Sequence, residues 1–174
     1  MCRRHCAGLI LPAVILERIF IAQGHAYFGR HGQPAAAHPM EELERAECVT
    51  GRGLRGDRFF GYRPDYKGQV TLFAREVWEE LATRFDCSNL SPAALRRNLL
   101  VRGTDLNALM GETFTLGEVT LAGVEECRPC YWMDRAIAPG AEDWLKGRGG
   151  LRCRVLTDGW LHATAAVLAT FAQT

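Results

Sequence analysis

Lysine is almost missing from this chain. Of 21 basic residues only Lys67 and Lys146 are lysines, and the other 19 are arginines. Two lysines leave few positions for a Schiff base, and no Gly-rich loop ends in the lysine of a nucleotide-phosphate site. Long apolar runs are missing too. None approaches the roughly 18 to 20 residues that span a bilayer as a helix, so no membrane partner is expected. No His-Glu-x-x-His occurs, and His5, His25, His31, His38 and His162 form no i, i+4 pair. A second Cys-x-x-Cys is also lacking, so a four-ligand structural zinc site would be incomplete. The net charge is only +1, which supplies no broad field for a polyanion; no nucleic-acid partner is expected.

Seven cysteines make an odd count, unsuited to a secreted disulfide framework. Arg3 and Arg4 precede an apolar stretch over residues 9–16, but no small-residue cleavage site follows and Glu17 and Arg18 interrupt it. Cys6 lies before that stretch, away from a lipid-attachment position. These features predict a cytoplasmic protein with reduced thiols. At 174 residues, one domain is expected over 14–174, with residues 1–13 as an N-terminal extension.

What is present is glycine, spaced so as to divide many short strands. Strands are expected at Val14–Ala22, Leu43–Val49, Gln69–Phe73, Asn98–Val101, Thr113–Leu116, Glu118–Val124 and Leu151–Thr157. Asp158-Gly159 reads as a tight turn joining Val155-Leu156 to Trp160-Leu161 in a terminal hairpin. Val77, Trp78, Leu81 and Phe85 share one stripe of a helix over Arg75–Phe85. Ser91-Pro92 is an N-cap with a first-turn proline, opening a short helix through Leu95. Further turns are expected at Asp105–Met110 and Ala141–Lys146, and Gly24–Pro39 reads as an exposed loop. The sum is a mainly β protein: a closed or nearly closed barrel with a few peripheral helices.

Chemistry concentrates in three places. Gly51-Arg52-Gly53-Leu54-Arg55-Gly56 spells a dinucleotide fingerprint, but no helix follows to receive a pyrophosphate. The loop still offers backbone N–H groups with Arg55 and Arg58, which suit an oxyanion; equally, Asp57 can hold Arg58 or Arg55 in a structural ion pair. Leu95-Arg96-Arg97-Asn98 falls where a short helix becomes a strand, at an exposed rim. Adjacent strand residues point to opposite faces, so at most one of the two arginines should face a site. Cys127-Arg128-Pro129-Cys130 has several readings: a redox pair, a soft metal ligand or sulfur carrier, or two small buried hydrophobes. No β-α-β unit accompanies it, which weakens the thioredoxin-like reading. Cys2, Cys6, Cys48, Cys87 and Cys153 have no partner at metal spacing and are taken as structural.

Several motifs follow one another in order. They are Gly-Leu-Arg-Gly-Asp-Arg at 53–58, Gln-Val-Thr-Leu-Phe at 69–73, Arg-Arg-Asn at 96–98 and Asp-Leu-Asn at 105–107. Gly-Glu-Thr-Phe at 111–114, Glu-Cys-Arg-Pro-Cys at 126–130 and Gly-Arg-Gly-Gly-Leu at 147–151 complete the series. Over roughly residues 14–162 the chain resembles the MOSC domain, named for the C-terminal domain of molybdenum cofactor sulfurases. The resemblance implies a MOSC-type β-barrel that binds the molybdenum cofactor (molybdopterin) and whose key cysteine handles sulfur or ligates molybdenum. In the similar mitochondrial amidoxime-reducing component that cysteine binds the metal, and N-hydroxylated compounds are reduced.

By the motif, Cys130 corresponds to that cysteine, catalytic residue and metal ligand at once. Arg96 and Asn98 correspond to a cofactor-contacting Arg-x-Asn element, with Arg55 and Arg58 as further cofactor-binding candidates. The chain departs from the family in having no desulfurase domain, so a pyridoxal phosphate enzyme is not expected. It is also shorter than the amidoxime reducers, so the residues that complete their pocket would come from the Gly24–Pro39 loop, from another subunit, or be absent. No flavin or iron–sulfur motif is present, so electrons or sulfur would come from a separate donor or cysteine desulfurase. The expected role is molybdenum-dependent oxidoreductase or sulfur-transfer component. The alternatives are a metal-free redox protein using Cys127 and Cys130, and a non-catalytic docking module.

Overall fold

The computed structural model describes residues 14–27 and 32–164. The extension over 1–13, with Cys2 and Cys6, lies outside the described residues. Ten strands and three α-helices occur among those described: β1 (Ile15–Ile21), β2 (Glu41–Leu43), β3 (Arg45–Val49), β4 (Gly53–Leu54) and β5 (Val70–Ala74), then α1 (Arg75–Arg84). They continue with β6 (Leu99–Arg102), β7 (Thr113–Leu116), β8 (Val119–Glu126), α2 (Trp132–Ala136), α3 (Ala141–Trp144), β9 (Leu151–Val155) and β10 (Gly159–His162).

Seven strands form one curled sheet in the order β2-β1-β6-β5-β9-β8-β7, and β10-β3-β4 form a second. Alternation decides which side chains face inward. Cys153 and Val155 of β9, Phe114 and Leu116 of β7, and Ala46 and Cys48 of β3 all reach the same interior. Leu54 and Leu161 of the small sheet join Leu72, Leu99 and Leu121 of the large one in that core, so the two sheets close around it. The mainly β, barrel-like architecture expected from the strand pattern is what the chain forms.

Strand β5 departs from the alternation, being buried on both faces. Val70 and Leu72 face the interior; Phe73 faces a second cluster built by Trp78, Leu81, Leu95, Leu100 and Met133. Helix α1 supplies that outer layer with the stripe its periodicity predicts. It connects β5 to β6, the parallel pair, as a β-α-β crossover. The short helices at 92–95 and 106–109 are single 3-10 turns, capped by the side chains of Ser91 and Asp105 accepting from Ala93 N and Asn107 N.

The expected terminal hairpin does not form. β10 pairs with β3 of the small sheet rather than with β9. The Asp158 carboxylate accepts from Thr50 N and Thr50 Oγ1, both at 2.7 Å, so it anchors the connection to the β3–β4 turn. A two-residue turn signal reports that the chain bends, and here the bend carries it to another sheet. The 95–98 segment is likewise no exposed rim, because Arg96, Arg97 and Asn98 are all buried.

Asn98 ties the architecture together. Its Oδ1 accepts from Thr71 N at 3.1 Å and Thr71 Oγ1 at 2.9 Å; its Nδ2 donates to Phe20 O and Asp57 Oδ2, both at 3.1 Å. All four side-chain hydrogen-bonding positions are used, at zero solvent exposure. Asn98→Leu should therefore unfold at lower urea with an unchanged denaturant slope. A loss of about 3 kcal/mol is expected, since Thr71, Phe20 and Asp57 each keep a desolvated, unpaired group.

Candidate functional site

The strand β8 is where the site begins. Its register against β9 shifts between Gly123 and Glu125, a bulge that re-aims the chain just before the thiols. Glycine is required there, since a Cβ at 123 would lie 2.0 Å from Leu109 O. Past the strand, Cys127 N donates to Gly150 O at 2.7 Å and Gly149 N to Glu126 Oε1 at 3.1 Å. A Cβ at Gly149 would meet Cys127 O at 2.6 Å and Pro129 Cδ at 2.9 Å. The Gly-Arg-Gly-Gly-Leu motif is thus the floor on which the cysteine loop rests. Arg97 locks the two together, donating from Nη2 to Cys127 O at 2.8 Å and from Nε to Gly149 O at 3.0 Å. Cys130 O then accepts from Met133 N and opens α2.

Arg96 follows from the 3-10 turn ending at Leu95. It caps that turn in the left-handed conformation, φ 56° and ψ 35°, a position where glycine is usual. An arginine held there costs on the order of 1–3 kcal/mol and turns its side chain out of strand alternation. The expectation that only one of the two adjacent arginines faces a site therefore fails: both line the same cavity. Arg96 donates to His38 O at 2.7 Å and Gly24 O at 3.0 Å, while its Nε is buried without a partner. Its hydrogen bonds go to carbonyls alone, and Asp57, paired with Arg58, acts on its charge only as a weaker influence than burial and Arg58. Burial, followed by the neighbouring Arg58, lowers its pKa to about 10.

The cavity occupies about 180 Å³. Cys127 and Cys130 line it together with Arg58, Arg96, Arg97 and Arg152. Exposed Arg128 reaches its edge, and no carboxylate is among the described residues on its wall. Asp57 lies behind the wall, pairing with Arg58 at 3.2 Å and accepting from Ala22 N and Phe59 N at 3.1 Å. The structural reading of Asp57 is therefore present beside the cationic one. Arg58 also donates to Arg96 O at 3.0 Å, pinning the strained residue.

The two thiols differ in access. Cys127 is buried, whereas Cys130 is half-buried and opens onto the cavity. Burial opposes the charge of Arg152, yet Cys127, Tyr66 and Glu125 around it raise its pKa overall. Burial dominates at two further interior thiols: it pushes Cys48 up to about 12, with a smaller contribution from Glu47, and raises Cys153 as well, with a smaller contribution from Cys127. Aromatic rings frame the opening. Tyr27 stacks on Trp132 with centroids 4.7 Å apart, Tyr131 Oη donates to Tyr27 O, and Phe59 packs against Tyr66 at 5.2 Å.

Of the candidates read from sequence, Cys130, Arg96 and Arg58 meet at this cavity. Asn98 and Arg55 do not. Asn98 is consumed by the network behind the wall, and Arg55 is an exposed side chain paired with Glu47 at 2.5 Å. His25, Tyr27, Tyr66 and Arg152 also line the cavity without having been singled out, and Arg97 lines it beside Arg96; His25 and Tyr27 come from the 24–39 segment expected to complete a pocket. Arg152 could have been found from β9, where it alternates with buried Leu151 and Cys153. A larger cleft of about 430 Å³ opens between the start of α1 and the 103–107 turn, with no thiol on it.

His25 is half-buried beside Phe59, with Arg58, Arg96, Asp57 and His38 acting on it. Burial first, then Arg58 and Arg96, lower its pKa below the ordinary 6.5. A histidine with a lowered folded pKa is protonated more readily in the unfolded chain, so stability should fall as pH drops from 6.5 through the folded value. His25→Gln should flatten that acid-side decline in a series of thermal melts, and saturating sulfate should flatten it in the wild type.

No curated protein matches the sequence. Among solved structures, YuaD from Bacillus subtilis superposes with a TM-score of 0.64 at 17% identity, covering 87% of this chain and 94% of that one. YiiM from Geobacillus stearothermophilus gives 0.64 at 12% identity over 86% and 71%. YiiM from Escherichia coli gives 0.57 at 19% over 84% and 66%. These likenesses establish a shared fold. The profile of the MOSC domain matches residues 30–168, a span that contains every motif from the Arg58 loop to the Gly149 floor, and the chain belongs to the MOSC domain family.

Proposed function

We propose that this protein binds the molybdenum cofactor at the arginine-lined cavity, with the Cys130 thiolate as the protein ligand to the metal. It would act as a reductase of N-hydroxylated compounds or as a sulfur or cofactor carrier. The observation that carries this reading is the meeting of an accessible thiol with a buried arginine whose Nε has no hydrogen-bond partner, on one wall. Such a wall suits a ligand with an anionic end and a thiophilic metal end. Among the described residues no three His, Cys, Asp or Glu side chains gather to share a metal ion. A metal at Cys130 would therefore bring its other ligands with it, as a pterin dithiolene does.

The roles of the chain's own groups follow from the geometry. Arg96, Arg97 and Arg58 would face a phosphate, with Arg97 also fixing the thiol loop through Cys127 O. Tyr27 and Phe59 would flank the opening and limit water at the thiol. Cys127, buried beside Arg152, would hold the loop rather than ligate. Bound there, the cofactor would supply two-electron redox chemistry at molybdenum, with electrons from a separate donor protein. No helix among the described residues is long and apolar enough to cross a membrane.

Molybdenum content decides the proposal. Protein purified from a host that makes the cofactor should carry the metal, and Cys130→Ser should bring it to background while Cys127→Ser retains most of it. Arg96→Gln should weaken retention by about 10- to 100-fold, the worth of one or two charge-assisted hydrogen bonds. Equal loss from both cysteine variants would instead mean that the thiols act as a redox pair.

A further inference from the structure

We propose that the same cavity takes small sulfur oxyanions and that Cys130 accepts the outer sulfur of thiosulfate, making the protein a thiosulfate sulfurtransferase. The inference rests on reading Cys130 as the working thiol, but not on molybdenum.

Size is the first argument. A cavity of about 180 Å³ lies below the roughly 300–1,000 Å³ of sites that enclose drug-sized ligands. It can enclose an inorganic dianion whole, but only one end of a larger cofactor. Charge is the second. Arg96 and Arg97 spend their hydrogen bonds on carbonyl oxygens and keep their positive charge, and Arg96 Nε has no partner. The neighbouring Arg58 is paired with Asp57, a carboxylate that is not on the cavity lining. A doubly charged anion would compensate this cluster, and the Tyr66 hydroxyl on the same wall could donate to it. Placement of the nucleophile is the third. Cys130 is the more accessible of the two thiols on that wall, while Cys127 is buried.

Together these groups favour one reaction. The Cys130 thiolate attacks the outer sulfur of thiosulfate, forming a new S–S bond. The original S–S bond breaks and its electron pair leaves on sulfite. The products are a Cys130 persulfide anion and sulfite, so charge and atoms balance with no added oxidant or reductant. The arginines that bind the incoming sulfonate end would also hold the departing sulfite as its charge grows. A thiophilic acceptor such as cyanide then takes the outer sulfur as thiocyanate and regenerates the thiolate.

The test uses the full chain with thiosulfate alone, followed by cyanide. Mass spectrometry should find one added sulfur on the Cys130 peptide, with one sulfite released per chain, and thiocyanate should form on turnover. Cys130→Ser should abolish all three signals, whereas Cys127→Ser should retain them. Arg96→Gln should lower the rate at limiting thiosulfate by at least about 10-fold. Should that variant fold poorly, competition by sulfate in the wild type gives the same information and must be seen. Absence of sulfur on Cys130, transfer unaffected by Cys130→Ser, or indifference to sulfate would overturn the proposal. Molybdenum retention without persulfide would remove this inference alone, and persulfide without molybdenum would remove the cofactor reading alone.

Discussion

The buried carboxylate of Asp57 is the constraint on which the rest of the site depends. It has no solvent contact and accepts from two backbone N–H groups, the Asn98 amide and the Arg58 guanidinium. A buried charge left without such partners would cost several kcal/mol. With them it fixes the end of β1, the loop after β4 and the entry to β6 in one arrangement. Arg58 is then held between Asp57 and Arg96 O, so the strained cap at Arg96 has a fixed neighbour. The fold and the cavity wall share this one set of hydrogen bonds.

Charge on that wall is deliberately unequal. Asp57 compensates Arg58, and Glu125 lies 3.6 Å from Arg152, but Arg96 and Arg97 are satisfied by carbonyls that cancel no charge. Burial first, and then the positive charge of neighbouring arginines, lowers the pKa of both Arg96 and His25. Tyr27 and Tyr66 show the other side of the competition: burial raises both, although Arg97 acts against it in the first and Arg152 in the second. In so small a space the guanidinium groups repel one another, and a bound anion would relieve that repulsion. Functional sites often keep such unpaid strain and charge, because the ligand supplies the compensation.

Much of the barrel was legible because its strands carry two-residue alternation and its two 3-10 turns carry side-chain caps. Thr113–Leu116 coincides with its expected strand, and α1 with its apolar stripe, because each is set by local pattern. The failures arise where a distant partner decides. Asp158-Gly159 signals a turn, but Thr50, far away in sequence, captures Asp158 and sends β10 to the small sheet. Arg96 and Arg97 were expected to diverge, a rule that presumes strand geometry; the left-handed cap cancels it. Arg55 and Asn98 looked as suitable as Arg58 and Arg96 by residue type. Only their partners, Glu47 for the one and Thr71, Phe20 and Asp57 for the other, reveal that their bonding capacity is already spent.

The same reasoning separates the two thiols, which a Cys-x-x-Cys spacing alone treats as equals. Cys127 is drawn inward from both sides: its N–H donates to Gly150 and its carbonyl receives Arg97, with Gly149 packed against it. Those backbone bonds commit Cys127 to the β8–β9 framework. Cys130 follows Pro129 and its carbonyl starts α2, so its backbone is held by a short helix rather than by the sheet. One cysteine is thereby part of the scaffold and the other is presented by it. A symmetric redox pair would need both sulfurs free to approach each other, and the anchoring of Cys127 works against that. The asymmetry instead matches a site in which one accessible sulfur does the chemistry and the arginines around it hold the charge.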